Sequence, residues 1–254
     1  MKKKIVVFSG AGISKESGVD TFRDSKDGLW NNYNIEEVAT PQGWKKDREK
    51  VLTFYNERRA QLPTVHPNGA HIALVSLENE YDVTIVTQNV DDLHERAGST
   101  NILHLHGELT KARGCYYDNK PSTLDQVYDI GYNEIKVGDR CKTTDSQLRP
   151  HIVWFGEYPF DVDKAYQAMR NADILIVVGT SLQIGYTLNL LSEVKLGGTD
   201  EKPCEIYFVD PQPTRSLEAY GLKVNYIIKP ATEGIGDLVN TLLVRATGGA
   251  ETNV

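Results

Sequence analysis

The order of apolar runs along the chain predicts an α/β protein: a parallel sheet covered on both faces by helices, plus a smaller body built from inserts. Six strand-like runs alternate with helix-length stretches. Several of those runs are apolar on both faces, as strands buried between two layers must be. Residues 110 to 149 break the alternation with a polar stretch rich in tyrosine and glycine, which reads as an insert. A chain of 254 residues is long for one ordinary domain, at ~100 to 200 residues each, but suits one large α/β domain carrying a smaller part.

Taken in order, IVVF (5 to 8) is the first strand and GAGISKESGVDTFR (10 to 23) follows it, with a helix start expected near Ser14. Helical patterns cover 44 to 60 and 68 to 80, followed by strands VTIVT (83 to 87) and ILHL (102 to 105). TQNVDDLHERAG (87 to 98) lies between those two strands, and Asp91 or Asp92 could cap the short helix suggested by LHERA. After the insert come a helix over 162 to 171, strand DILIVVG (173 to 179), a helix over 187 to 195, strands EIYFV (205 to 209) and VNYII (224 to 228), and a helix over 233 to 245. We find no internal repeat or low-complexity tract.

Composition excludes several classes of function. Hydrophobic residues make up 40% and charged residues 25%, and no apolar stretch approaches the ~20 residues of a membrane span. The start MKKKIVVFSGAG has the charge of a signal peptide, but its apolar run stops at Ser9-Gly10, short of the ~7 to 15 residues required. A net charge of -7 with scattered lysines and arginines lacks the basic footprint of nucleic-acid binding. Cys115, Cys141 and Cys204 are too few and odd in number for a disulfide framework, which points to a reducing cytoplasm.

Ligands of such sheets bind beyond the carboxyl ends of the strands. There, Gly10 and Gly12 allow a tight turn and close approach to a pyrophosphate. The spacing G-x-G-x-x-K, with the next glycine at 18 and no second strand within ~30 residues, disfavours a dehydrogenase. Other strand ends carry VVGTS (177 to 181) and FVDP (208 to 211), where Asp210 could bond a ribose. Gln88, Asn89, Asp91 and Asp92 exceed what one helix cap needs and suggest a ligand site. HLHGEL (104 to 109) brings two imidazoles that could hold a metal, move a proton or simply pack.

Together, GAGISKESGVDTFR, TQNVDDLHERAG, LHGEL, RPHIVWFGE (149 to 157) and VVGTS, in this order, resemble the sirtuin family of NAD-dependent protein deacylases from Ile5 to about Leu243. The resemblance implies a Rossmann-like domain over 1–24, 66–106 and 152–254, and a small domain over 25–65 and 107–151, with NAD between them. It implies that the acyl-lysine carbonyl oxygen displaces nicotinamide through an oxocarbenium-like state. His106 then activates a ribose hydroxyl that captures the acyl carbon, water completes the transfer, and the products are nicotinamide, free lysine and 2'-O-acyl-ADP-ribose. His104 is expected to be structural, two residues back on the same strand face; Glu108 is the one further ligand in the stretch, so a metal pair is not expected.

Asn89 and Asp91 match catalytic positions that hold the ribose and nicotinamide region, beside Gln88 and Val90. Gly10, Ala11, Gly12, Ser14 and Glu16 match the first cofactor turn, and Phe22, Arg23 and Trp30 the segment that closes over it. Gly179, Thr180, Ser181, Asp210 and Ala231 complete the NAD set. Val153, Phe155 and Gly156 would pair through their backbone with an extended acyl-lysine peptide. Tyr55 and Arg58, three apart on one helix face, resemble the Tyr-x-x-Arg signature of the class that removes succinyl and malonyl groups, with Arg59 the nearby competitor.

The departure from the family is its structural zinc. Only Cys115 and Cys141 remain where two Cys-x-x-Cys pairs are common, with Asp118 or Asp145 as weak substitutes, so no zinc is expected. Packing by Tyr116, Tyr117, Tyr128 and Tyr132 would hold the insert instead. Two other functions compete: transfer of ADP-ribose to protein or water, for which Tyr55 and Arg58 have no use, and a non-catalytic NAD sensor, which needs no His106.

Overall fold

A computed structural model describes residues 2–19, 33–115, 126–197 and 203–248. It starts with β1 (Lys4–Ser9), a 3-10 stretch over Ala11–Ser17, then α1 (Ile35–Val38), α2 (Pro41–Lys46), α3 (Arg48–Gln61) and α4 (Gly69–Leu77). Next come β2 (Asp82–Thr87), α5 (Leu93–Ala97), β3 (Ile102–His104), β4 (Gly107–Gly114), β5 (Val127–Asp129) and β6 (Leu148–Ile152). The rest alternates as α6 (Val162–Arg170), β7 (Ile174–Val178), α7 (Thr187–Ser192), α8 (Val194–Gly197), β8 (Glu205–Val209), α9 (Ser216–Ala219), β9 (Val224–Ile227) and α10 (Ala231–Ala246).

All six apolar runs are strands of one parallel sheet ordered β3-β2-β1-β7-β8-β9. Two helical expectations need correction. The stretch 44 to 60 is two helices, because Asp47 leaves helical geometry and its side chain accepts Lys50 N–H at 2.9 Å, capping α3. The helix over 187 to 195 likewise breaks at Glu193. The helix start near Ser14 is a 3-10 stretch, closed by Gly18 at φ 89°.

The alternation of side chains along each strand builds two cores. Ile5, Val7, Ile85 and Ile176 face Leu74 of α4 and Ile235 and Leu238 of α10. Val6, Phe8, Leu175 and Phe208 face Met169, Leu190, Leu191 and Leu217 on the other side. Each such fully buried side chain contributes ~1.5–3 kcal/mol of hydrophobic stabilisation. A second, antiparallel sheet, β5-β4-β6, packs with α2 and α3 in a third cluster containing Trp44, Phe54, Tyr55, Leu109 and Trp154.

Register fixes where the site must lie. Ser9 pairs with Thr87 and Val178, Thr87 with His104, and Val178 with Val209, so these five residues form one row at the carboxyl edge. The chain runs outward from β1 to β2 and β3 on one side and from β7 to β8 and β9 on the other. Ligand crevices open at such a reversal of strand order.

Candidate active site

The residues just past that row belong to the loops singled out in the sequence. At the reversal point, Gly10 N–H donates to Val178 O at 3.0 Å and Gly12 N–H to Gly179 O at 2.8 Å. A Cβ on Gly12 would lie 2.6 Å from Gly179 Cα, and one on Gly179, at φ 61°, only 2.2 Å from Ile13 N. These glycines therefore let two backbones cross, a requirement different from the approach to a pyrophosphate read in the sequence. Their N–H groups already have carbonyl partners.

Ser14, buried in the 3-10 stretch, connects the two polar residues at the end of β2. Its hydroxyl donates to Asp91 Oδ2 at 3.0 Å and accepts from Asn89 Nδ2 at 3.1 Å. Asp91 Oδ1 accepts Leu93 N–H at 3.1 Å. Asp91 is thus the acid that bonds the start of α5, while the side chain of Asp92, at the N-cap position, makes no cap bond. Burial raises the Asp91 pKa against the bonds from Leu93 and Ser14. Asn68 reaches the same stretch, donating to Ile13 O at 2.8 Å while its side-chain oxygen caps α4. Val90 faces the other way, its carbonyl accepting Leu109 N–H at 2.9 Å.

The two histidines of HLHGEL do not share a strand face, which corrects the sequence reading. β3 ends at His104, and His106 lies in the turn before Gly107, whose φ is 85°. His104 Nδ1 lies 3.3 Å from Asn89 O and its Nε2 2.5 Å from Glu95 Oε1. Burial works against charge on that ring, but the Glu95 carboxylate outweighs it and the pKa is raised. Glu95 and Glu108 both approach His104, with candidate ligand atoms within 4.8 Å of one another. His104 is paired with Glu95, and Glu108 with Lys111 at 2.7 Å.

His106 turns towards β7. Its Nδ1 is 3.0 Å from Gln88 O, and its Nε2 is 2.8 Å from the Tyr186 hydroxyl. A carbonyl only accepts, so Nδ1 carries the proton and Nε2 holds the lone pair. Burial lowers the pKa of the ring, the Gln88 carbonyl only partly opposing this. A neutral imidazole with a lone pair at the crevice is what a general base requires.

Farther along the edge, Thr180 Oγ1 donates to Gln88 Oε1 at 3.0 Å, beside Ser181. Asp210, past β8, accepts Gln212 N–H at 2.8 Å through its side chain. Glu16 caps α10, accepting Thr232 N–H at 2.9 Å and its hydroxyl at 2.6 Å, next to buried Ala231. Ala11 opens the 3-10 stretch. Phe22, Arg23 and Trp30 lie outside the described residues, as do Tyr116, Tyr117 and Asp118.

On α3, Tyr55 is buried and its hydroxyl pKa is pushed up to about 12, chiefly by burial, with Arg58 and Arg149 opposing. Arg58 is half-buried, its guanidinium 5.6 Å from the Phe54 ring centroid. Arg59 is fully buried and donates to Leu109 O at 2.5 Å and Asn56 Oδ1 at 2.6 Å, a structural tie between α3 and β4. Beyond β6, Val153 N–H donates to His106 O at 2.9 Å and Phe155 N–H to Ala39 O at 3.0 Å. Between those two donors, Trp154 N–H donates to Glu157 Oε2 at 2.8 Å and Trp154 O accepts Glu157 N–H at 2.9 Å, so this segment is held on the protein. Gly156 follows at φ 90°, and Phe155 remains 50% exposed.

In the insert, Cys141 Sγ lies near Gln126 Oε1 (3.0 Å), Tyr128 Oη (3.4 Å) and Thr143 Oγ1 (3.5 Å). Hydroxyls and an amide around a thiol do not suit structural zinc, which wants four thiolate or imidazole ligands. Tyr132 bonds Asp92 Oδ2 at 2.6 Å instead of packing within the insert.

The sequence reading missed Tyr186, Asn68 and the pair formed by Arg149 and Glu157. Tyr186 reaches His106 across 80 residues, and no spacing signals such a contact.

Comparison with known proteins gives a consistent outcome. A profile described as the Sir2 family matches residues 10–185. The chain is similar to an NAD-dependent protein deacylase of Bacteroides thetaiotaomicron, 43% identical over 95% of this chain and 98% of that one. A Helicobacter pylori protein of the same name is 45% identical over 96% and 100% of the two chains. A solved complex of a mutant Sir2 homologue with ADP-ribose superposes with a TM-score of 0.79 at 35% identity, covering 99% of this chain and 96% of that one.

Proposed function

Because the chain belongs to the Sir2 family, we propose that it is an NAD-dependent protein-lysine deacylase that prefers acyl groups ending in a carboxylate, succinyl and malonyl, with acetyl as a secondary substrate. The observation that carries the catalytic reading is the neutral His106, whose Nδ1 proton is held by Gln88 O at 3.0 Å so that the lone pair falls on Nε2. NAD supplies the ribose carbon that loses nicotinamide and the hydroxyl that receives the acyl group. The chain's part is to hold that ribose with Asn89 and Asp91, to bind the rest of the dinucleotide along the loops at Ala11, Thr180 and Asp210, and to take the hydroxyl proton at His106 Nε2. General-base help of this kind is typically worth ~100- to 10,000-fold. Ser14, which bonds both Asn89 and Asp91, keeps the two in register.

The acyl preference rests on Tyr55 and Arg58. A phenol and a guanidinium on one face of α3 can grip a terminal carboxylate, each charge-assisted bond contributing ~1.5–3 kcal/mol. Acyl-lysine proteins or peptides are the partners in this reading. Its reaction product is 2'-O-acyl-ADP-ribose, and its site of action the cytoplasm, which the sparse free cysteines suit. Among the described residues no helix is long and apolar enough to cross a membrane. Structural zinc has no part in the proposal.

Mass spectrometry of products from NAD and peptides bearing acetyl-, malonyl- or succinyl-lysine tests the reading, with Arg58→Met alongside. The expected outcome is an acylated ADP-ribose for each accepted peptide, and a loss of ~10-fold or more on succinyl-lysine alone in the variant. Equal losses on succinyl and acetyl peptides would remove the acidic-acyl reading. ADP-ribose without an acyl group would favour NAD hydrolysis.

A further inference from the structure

A chain of hydrogen bonds surrounds the proposed base. Thr180 Oγ1 donates to Gln88 Oε1 at 3.0 Å. The Tyr186 hydroxyl in turn lies 2.8 Å from His106 Nε2, and His106 Nδ1 lies 3.0 Å from Gln88 O. Direction follows from chemistry: the Gln88 carbonyl must accept from Nδ1, so Nε2 must accept from the phenol. The lone pair needed to take the ribose proton is thus already engaged by Tyr186.

We propose that Tyr186 is a latch on the base: its hydroxyl holds His106 Nε2, and the nicotinamide ribose hydroxyl must exchange with it before the reaction can proceed. This rests on the reading of His106 as the base. Tyr186 precedes α7 and its side chain makes no cap bond there, so a side-chain rotation releases the hydroxyl without disturbing the helix. Its ring packs against the second core cluster and meets the imidazole edge-on, with centroids 6.1 Å apart. Burial raises the phenol's pKa, so it keeps its proton at neutral pH and acts as a donor to the ring. Burial and the Gln88 carbonyl are the influences on the His106 titration, with no carboxylate among them. The latch would keep the base from acting on stray nucleophiles while no ribose is bound.

The test is Tyr186→Phe, a one-atom change that preserves the ring. Nitrogen-15 NMR of the cofactor-free protein reads the latch without any turnover. A donor to Nε2 stabilises the neutral ring, so its loss should raise the His106 titration midpoint and shift the Nε2 resonance. Saturating ADP-ribose should abolish the difference between the two proteins. In turnover, the variant should show a KM for NAD lower by ~2- to 10-fold, the worth of one hydrogen bond, with the gain in KM rather than in kcat. An unchanged titration midpoint would overturn the latch, whatever the kinetics. A kcat reduced 10-fold or more at constant KM would also overturn it, by making Tyr186 a proton relay. A failure of the base reading is distinct from both: deacylation surviving in His106→Ala would signal it, while the NMR result would still stand for the hydrogen bond.

Discussion

The six-stranded sheet and the β5-β4-β6 sheet meet at the turn carrying His106, yet they are held by different forces. In the first, Ile5, Val7, Phe8, Leu175 and Ile176 are buried without a charge among them. In the second, Arg59 and Arg149 are as buried as the leucines. Arg149 grips Glu157 through both carboxylate oxygens at 2.7 and 3.0 Å, and Glu157 also accepts Trp154 N–H at 2.8 Å. The Arg149 guanidinium lies 3.2 Å from the Trp154 ring centroid. Apolar burial is non-directional and tolerates small shifts, whereas a two-oxygen ion pair fixes distance and angle. The difference teaches that the cofactor side can rest on sheet register, while the side carrying Tyr55, Arg58 and the Val153 segment needs directional bonds to hold its geometry.

The junction between the sheets should be the most sensitive point. A Cβ on Gly107 would lie 1.9 Å from His151 O at a φ of 85°, a clash with backbone that cannot move without parting β4 from β6. Gly107→Ala should cost on the order of 4–5 kcal/mol in urea unfolding. Gly131→Ala, at φ 53° with nothing within 4 Å of the new atom, should cost only ~1–2 kcal/mol of left-handed strain. Similar losses for the two would break the comparison at its hinge.

The buried pair comes next. Arg149→Met leaves Glu157 with Arg113 Nη2 at 3.4 Å as a remaining cation, so the expected loss is about 3 kcal/mol, the low end for breaking a buried pair. Adding Glu157→Gln should recover part of it, because no lone buried charge is left. A double-mutant cycle checks this, and strictly additive losses would mean that the pair does not bond as described.

The same contrast explains what the sequence disclosed. Apolar runs such as IVVF and DILIVVG read directly as strands, because burial on both faces leaves a continuous local signature. The loops at their ends were legible by composition, and register alone brings Gly10, Gln88, His106 and Gly179 to one edge. What stayed hidden depends on contacts across long separations. Arg59 reads as surface charge until Leu109 O is seen beside it, and Tyr186 carries no signal until the fold sets it on His106. Asp47 is a local miss: its capping side chain breaks a helical pattern that apolar spacing carries straight through.

The smallest effect expected is the most informative about the insert. If directional bonds within the protein hold the small sheet, chelation should do nothing to it. Removing a structural zinc normally forfeits ~10–16 kcal/mol of folding free energy; here, EDTA should leave the unfolding midpoint in place, and the purified protein should carry far less than one zinc per chain. Cys141 supplies a second readout. Burial pushes its pKa up, but hydrogen bonds from Thr143, Thr144 and Tyr128 more than offset this and bring it down to about 6. A depressed pKa means that the thiolate's contribution is fully present above the unfolded value, near 9, and is lost as pH falls through about 6. Cys141→Ser should therefore match the wild type near pH 6 and fall behind it progressively towards pH 9, as urea unfolding at several pH values would record. Stoichiometric zinc, or a midpoint that collapses on chelation, would mean that the insert relies on metal, and the contrast between the two sheets would then rest on Arg59 and Arg149 alone.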